Sequence, residues 1–129
     1  MHMILAITMV ILFSGCTGNG ERLPMREYAF HTLNLIDAGQ TMHVARSPEC
    51  WRESGVPTKY ILGDHPNQSE VLPLFLVYSA VYHYANRWLD KRPKYRTFQR
   101  IYNVSMIGAK AWTVYNNNAK GLDPWGRGC

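Results

Sequence analysis

The sequence lacks the residue spacings that usually reveal an enzyme. It contains no glycine-rich phosphate loop, no Gly-x-Ser-x-Gly nucleophile elbow and no Cys/His nucleophile pattern. Its five histidines include no His-x-x-x-His pair, and its three cysteines include no Cys-x-x-Cys pair, which are common signatures of a metal site. We therefore expect no metal and no cofactor, and the sequence favours a non-enzymatic role.

Charge is also scarce. Charged residues make up 18% of the chain, below the roughly 25% of typical domains, whereas hydrophobic residues make up 47%. A chain of this composition buries a core and is not disordered. With 129 residues it holds at most one ordinary domain, which excludes a multidomain enzyme. The net charge of +5 permits contact with anionic lipid or nucleic acid without requiring either.

The N-terminal residues have the profile of an export signal. Residues 3–13 (MILAITMVILF) are uncharged and mainly apolar, which matches a signal-peptide h-region and is too short to cross a bilayer as a helix. The tetrad Phe13-Ser14-Gly15-Cys16 follows at its end and resembles the lipobox of bacterial lipoproteins. That resemblance implies a signal peptide over 1–15 and a lipid (palmitate-type) anchor on Cys16. It also implies a place in the bacterial cell envelope, on the periplasmic side of a membrane. Thr17 slightly favours the outer membrane over the inner one.

The other two cysteines fit an exported protein. With Cys16 acylated, Cys50 and Cys129 remain as a pair in a compartment where disulfides persist. A bridge between them would close a loop of about 80 residues and would stabilise the fold by about 4 kcal/mol in the chain-entropy model. Two unpaired thiols are the alternative, because the sequence does not show that they lie within reach of each other.

The rest of the chain predicts a small all-α fold. A tether over 16–25 leads into a helical domain over 26–117 and a tail over 118–129. Helical spacing of apolar residues predicts helices over 26–46, 67–89 and 97–117, a long connector over 48–66, and a break at 91–94. No run shows the strict alternation of a strand flanked by turns. We therefore predict a three-helix bundle that follows a signal helix and a flexible tether.

Two polar residues fall on the apolar side of the first predicted helix. A projection at 100° per residue places Asp37 and Thr41 there, which predicts that both are buried. A buried carboxylate needs a partner, and His83, Asn86 or Lys110 from the other helices could supply it. We expect a structural network that fixes helix register. A small hydrolase or binding site around Asp37, Thr41 and His83 is the functional alternative.

A basic cluster surrounds the second break. It interleaves with aromatic residues and favours contact with anionic lipid headgroups, with a solvated basic turn as the alternative. Nucleic acid is not expected as a partner of an exported protein. The cluster consists of Arg87, Lys91, Arg92, Lys94, Arg96 and Arg100.

Residues 71–89 form the most apolar stretch of the mature chain. As a helix this stretch would be about 28 Å long, which is enough to approach the thickness of a bilayer. No equally apolar return segment follows, because Asn103 and Lys110 interrupt the third helix, and Lys110 would cost about 2.5–3.5 kcal/mol to insert. We therefore expect a buried central helix. An integral membrane hairpin over 71–115 is the alternative.

Between residues 30 and 116 the order of these motifs resembles that of a set of short lipoprotein or membrane-associated proteins of bacteria and tailed phages. The residues that carry the resemblance are Asp37, Thr41, Ile61-Leu62-Gly63, His65-Pro66, His83, Gly108 and Asn116. The resemblance implies architecture and membrane association and no particular activity. We expect a lipid-anchored envelope protein with a structural or interaction role, whose partners are the membrane and an envelope protein.

Overall fold

The computed structural model describes residues 23–53, 57–122 and 124. Within these ranges the chain forms four α-helices and no strand, which confirms the all-α prediction. The predicted signal peptide, Cys16, most of the tether and Cys129 lie outside the described residues. The helices are α1 (Met25–Arg46), α2 (Thr58–Leu62), α3 (Gln68–Asp90) and α4 (Arg96–Ala119).

Helix α1 is the centre of the bundle, because it packs along both α3 and α4 while these two contact each other less. It begins after Pro24, whose carbonyl accepts the first turn's N–H groups of Glu27 and Tyr28. It ends at Arg46, and the N–H of Ser47 donates to the carbonyls of His43 and Val44 in the last turn. Pro48 cannot continue the helix, so the end is where the sequence predicts it.

The connector between α1 and α3 contains a helix that the sequence analysis does not predict. Helix α2 is five residues long and begins after Pro57. It ends at Leu62, and the next residue is Gly63, whose φ of +80° suits a residue without a side chain and whose N–H donates to the carbonyl of Lys59. A single helical turn is too short to show a hydrophobic period, which explains why it is missed.

Helix α3 begins within one residue of its predicted start at position 67. The side chain of Asn67 accepts the N–H of Ser69 at 3.2 Å, which satisfies one of the free donors of the first turn. Pro73 lies inside the helix and removes one backbone donor, but the helix continues to Asp90. A 3₁₀ turn (Pro93–Tyr95) then reverses the chain into α4.

The apolar core of the bundle is small. Ala38 of α1 packs against Val71 and Phe75 of α3, and Leu62 of α2 covers this cluster. Buried polar side chains occupy much of the remaining space between the helices. They are Glu27, Asn34, Asp37, Gln40, Thr41, His43, Glu53, Thr58, Asn86, Gln99 and Asn103.

The end of α4 folds back against α1. Gly121 has a φ of +84°, and this turn places the buried Leu122 where its carbonyl accepts a hydrogen bond from Gln40 at 3.2 Å. Pro124 lies so close to Gly39 that a Cβ at that position would stand 3.1 Å from the Pro124 Cβ. A glycine in the middle of α1 thus allows the chain to pass over it.

None of the helices within the described residues combines the length and the hydropathy that a membrane crossing requires.

Candidate functional site

A buried carboxylate with two histidines lies between α1 and α3. Glu27 is completely buried, and the Nδ1 of His83 donates to its Oε2 at 2.6 Å. The Nε2 of His31 lies 4.0 Å from the same oxygen. The three side chains each offer a ligand atom, and these atoms lie within 4.8 Å of one another.

The helical geometry of α1 brings two members of this cluster together. Glu27 and His31 are four residues apart, so they project from the same side of the helix. The ring of His31 meets the rings of Phe30 and Tyr82 edge to face, with centroids 5.7 Å and 6.0 Å away. The imidazole therefore has a defined orientation towards α3.

The far side of the His31 ring is also held. Its Nδ1 lies 3.2 Å from the Oγ of Ser79, which accepts a hydrogen bond from Asn34 at 3.0 Å. Asn34 is itself fixed, because it donates to the carbonyl of Phe75 at 2.8 Å. The Ser79 hydroxyl can accept from Nδ1–H or donate to a bare Nδ1, so it can hold either neutral tautomer of His31.

Burial makes this cluster electrostatically unusual. It lowers the pKa of His31, the carboxylate of Glu27 opposes that shift, and His83 adds to it. The Oε1 of Glu27 is buried and has no hydrogen-bond partner among the described residues. A carboxylate and two imidazoles in this arrangement can bind a divalent metal ion or transfer a proton.

The predicted buried carboxylate forms a second, separate pair. Asp37 accepts a hydrogen bond from Lys110 of α4 at 2.5 Å. The ammonium group also lies over the rings of Phe75 and Tyr78, 4.6 Å and 5.0 Å from their centroids. Burial raises the pKa of Asp37, and the charge and hydrogen bond of Lys110 oppose that increase.

The three residues proposed as one polar network do not form one. Asp37 and Thr41 are both buried on α1, with 5% and 2% of their surfaces exposed. His83 bonds to Glu27 instead, which lies ten residues before Asp37, or about 15 Å along the helix axis. Asp37 and His83 therefore belong to separate clusters. Of the partners proposed for Asp37, Lys110 is the one that contacts it.

Asn86 belongs to a third polar cluster, near the turn between α3 and α4. Its Oδ1 accepts hydrogen bonds from Asn103 at 2.8 Å and from Gln99 at 3.2 Å. The hydroxyl of Tyr82 donates to Asn103, and burial raises the pKa of Tyr82 to about 12. The amides also donate to the helix backbone, and Gln99 donates to Asp90 at 2.8 Å, so the cluster joins α3 to α4.

The outward sides of α3 and α4 carry large apolar residues, which we call the outer face. On each helix these residues recur at intervals of three, four or seven to eight positions, so they share one side. All are at least 49% exposed. The outer face consists of Val77, Val81, Tyr84 and Trp88 on α3 and of Phe98, Ile101, Val104, Trp112 and Tyr115 on α4.

The basic cluster lies at the end of the outer face, around the α3–α4 turn. The guanidinium of Arg92 lies 4.0 Å above the ring of Trp88, and the ammonium of Lys94 lies 4.9 Å above that of Tyr95. Beside them is an open groove of about 750 Å³, whose basic lining residues are Arg26, Arg92, Arg96 and Arg100. Asp90, the acid within this segment, binds Arg26 through both oxygens at 2.7 Å. The turn thus combines cationic side chains with aromatic rings.

Sequence reasoning did not find the Glu27–His31–His83 cluster. The common metal signatures in a sequence are closely spaced pairs of His or of Cys, and this cluster contains neither pattern. The signal that could have found two of its members is the Glu-x-x-x-His spacing on one predicted helix. No spacing could have found His83, which comes from another helix.

The structure describes one of the two cysteines of the predicted disulfide. Cys50 is disulfide-bonded. Positions 16 and 129, the other cysteines of the chain, lie outside the described residues, so the pairing of Cys50 with Cys129 stays a prediction.

Comparisons with protein-family models, with curated proteins and with solved structures found no match to this chain.

Proposed function

We propose that this protein is a lipid-anchored component of a bacterial envelope whose helical body lies with its outer face on the membrane. Its role is to support envelope structure or to bind an envelope protein, and no chemical activity is assigned to it. The observation that carries the proposal is the reversed polarity of α4, whose buried residues are the amides Gln99 and Asn103 and whose opposite side exposes large apolar residues.

The two sides of α4 show this reversal clearly. The side facing α1 and α3 presents Asn103 and Lys110, and both make hydrogen bonds to buried partners. The opposite side presents Ile101, Val104 and Trp112, which are 61%, 73% and 67% exposed. Large exposed apolar residues on one side of a helix are typical of a protein that contacts a membrane or another protein.

The basic turn favours a lipid surface over a protein surface. Arg92, Arg96 and Arg100 line one groove next to the apolar side chains, and Trp88 and Tyr95 lie beside them. Lys and Arg near a membrane surface gain about 1 kcal/mol each from anionic lipids, and Trp and Tyr are enriched at the level of the headgroups. The outer face and the turn together fit an anionic bilayer.

The proposed anchor is consistent with this placement. Eight residues separate Cys16 from Met25, the first residue of α1. A chain of that length spans at most about 28 Å. With Cys16 acylated, the body would stay within one helix length of the membrane. Its outer face then meets lipid without a large loss of translational entropy.

Expression in a diderm bacterium with labelled palmitate tests the anchor. We expect the full-length chain to take up label and to sediment with membranes, and Cys16→Ser to lose the label. Absence of label from the wild-type chain, together with its recovery in the soluble fraction, would overturn the proposal.

The outer face is tested on a chain that lacks residues 1–16, so that neither the apolar signal segment nor a lipid on Cys16 can hide its effect. We expect the chain to remain partly bound to membranes and to be released by Ile101→Ser with Val104→Ser, or by Arg96→Ser with Arg100→Ser. The matched control replaces Arg46 and Lys120, which lie away from the turn, and leaves binding unchanged. Retention of this shortened chain after carbonate extraction would instead favour the inserted hairpin over 71–115.

A further inference from the structure

We propose that Glu27, His31 and His83 bind one divalent transition-metal ion, for which zinc is the best match. The site joins α1 to α3 and leaves a fourth coordination position for water or another ligand. It is independent of the proposed membrane role, because it rests on contacts inside the bundle.

The donor set matches zinc. Zinc binds imidazole nitrogen and carboxylate oxygen at about 2.0–2.2 Å, and sites with two His and one Glu leave one position of the tetrahedron open. Calcium and magnesium prefer oxygen ligands alone. Two imidazoles and one carboxylate thus select a first-row transition metal.

The geometry is close to that of a loaded site. Ligand atoms about 2.0–2.1 Å from a tetrahedral ion are about 3.3 Å from one another. The Glu27 oxygen now lies 2.6 Å from His83 Nδ1 and 4.0 Å from His31 Nε2. These two distances therefore change by less than about 1 Å on metal binding, and all three ligand atoms already lie within 4.8 Å of one another.

The surroundings of His31 are those of a metal ligand. Metal-binding histidines usually donate the other ring nitrogen to a neighbouring oxygen, which fixes the tautomer and the ring orientation. His31 Nδ1 faces the Oγ of Ser79, and Asn34 holds Ser79 in place. When Nδ1 donates to Ser79, Nε2 is free to coordinate, and Nε2 is the nitrogen that lies 4.0 Å from the Glu27 carboxylate.

Glu27 supplies the second, independent observation. Its side chain is 0% exposed, yet Oε1 makes no hydrogen bond to any residue that the structure describes. Leaving a buried carboxylate oxygen without a partner is costly, and a cation bound at the neighbouring Oε2 would lower that cost by neutralising the carboxylate. The side chains of His31 and His83 are each 22% exposed, so an ion can enter from their side.

Zinc titration of the full-length chain tests the site. The protein is prepared without a polyhistidine tag and stripped with a chelator, and binding is measured by calorimetry. We expect one zinc ion per chain and an increase in thermal stability on loading. Cobalt in place of zinc gives visible absorption typical of tetrahedral coordination, and nitrogen NMR identifies Nε2 of His31 and Nδ1 of His83 as the ligands.

Variants separate this site from adventitious binding. Glu27→Gln, His31→Asn and His83→Asn should each weaken zinc binding by more than about 100-fold, and Ser79→Ala by about 10- to 100-fold. His65→Asn, which changes an exposed histidine of the connector, and Asp37→Asn, which changes the other buried carboxylate of α1, should leave it unchanged.

Two results of the titration would overturn the proposed zinc site. Absence of 1:1 binding at micromolar zinc, or binding that survives His31→Asn and His83→Asn, would show that Glu27 and His83 form a structural ion pair only. Far-UV circular dichroism identifies any variant that unfolds, and NMR assignment of the ligand nitrogens in the wild-type chain then decides the question without that variant.

Discussion

The inner and outer sides of α4 obey opposite rules. On the inner side Asn103 and Lys110 are held by hydrogen bonds to other helices, whereas on the outer side Ile101 and Val104 contact little of the protein. In an ordinary soluble bundle the apolar side of a helix faces the core. The comparison teaches that specific polar contacts connect α4 to α3 and α1. The apolar surface of α4 remains exposed for contact with a membrane or another protein.

The largest expected effect on stability comes from removing the charge of Lys110 on the inner side of α4. Lys110→Met leaves the buried carboxylate of Asp37 without its cation, and breaking such a pair costs about 3–5 kcal/mol. We expect a loss of that size in the free energy of unfolding at pH 7, measured by chemical denaturation. Lys120→Met, at the exposed end of α4, is the control and should change stability by less than about 0.5 kcal/mol. A loss below about 1 kcal/mol for Lys110→Met would contradict the comparison.

Replacing an inner amide should have a smaller effect. Asn103→Leu removes the acceptor of the Tyr82 hydroxyl and one donor to Asn86, so polar groups are left unpaired in the core. A single group of this kind costs about 1–3 kcal/mol. We expect that loss in denaturation experiments, with the exposed Asn118→Leu as the matched control. Equal stability of the two variants would show that the amide cluster adds nothing to the fold.

Titration of Tyr82, in the same cluster, should have a smaller effect on stability. Burial raises the pKa of Tyr82 from 10.0 to about 12, so the folded chain holds the phenolic proton more tightly than the unfolded chain. The stabilisation due to this shift is present below pH 10 and is lost as the pH rises through about 12. We expect the stability difference between wild type and Tyr82→Phe to be constant up to pH 10 and to decrease above it. A difference that stays constant or widens would refute this.

The smallest effect is expected on the outer side. Ile101→Ser and Val104→Ser should each change the free energy of unfolding by less than about 0.5 kcal/mol in membrane-free buffer, because neither side chain is buried. Phe75→Ala, in the small apolar core, should lose about 3–5 kcal/mol in the same assay. If the two outer variants were as destabilised as Phe75→Ala, the outer face would be part of the core.

The comparison also shows how α4 can contact a membrane although it carries polar residues in its middle. Asn103 and Lys110 weigh against a membrane role for α4 when they are read along the chain. In the structure both face the bundle, and Lys110 bonds to Asp37. Their polarity therefore does not reach the outer face.

Much of the fold could be predicted because local residues determine where helices begin and end. Pro48 stops α1, Asn67 caps α3, and Pro93 starts the turn before α4. These signals act over one helical turn and need no partner. Helix α2 was missed because its five residues contain no repeat from which a period could be measured.

The candidate site could be predicted only in part. The burial of Asp37 and Thr41 follows from a projection of α1, because a helix fixes which residues share a side. Glu27 escaped that reasoning, since an acidic residue in the first turn of a helix is commonly exposed and favoured by the helix dipole. Its burial depends on α3, which lies against this turn and supplies His83.

The sequence by itself determined the helical class, the ends of the long helices and the positions of their two-sided patterns. The tertiary structure alone decided which side became the interior and which polar groups met there. His83 bonds to Glu27 across 56 residues of chain, and Lys110 bonds to Asp37 across 73. Hydrogen bonds form only near 3 Å and depend on angle, so such partners are chosen by how the helices pack.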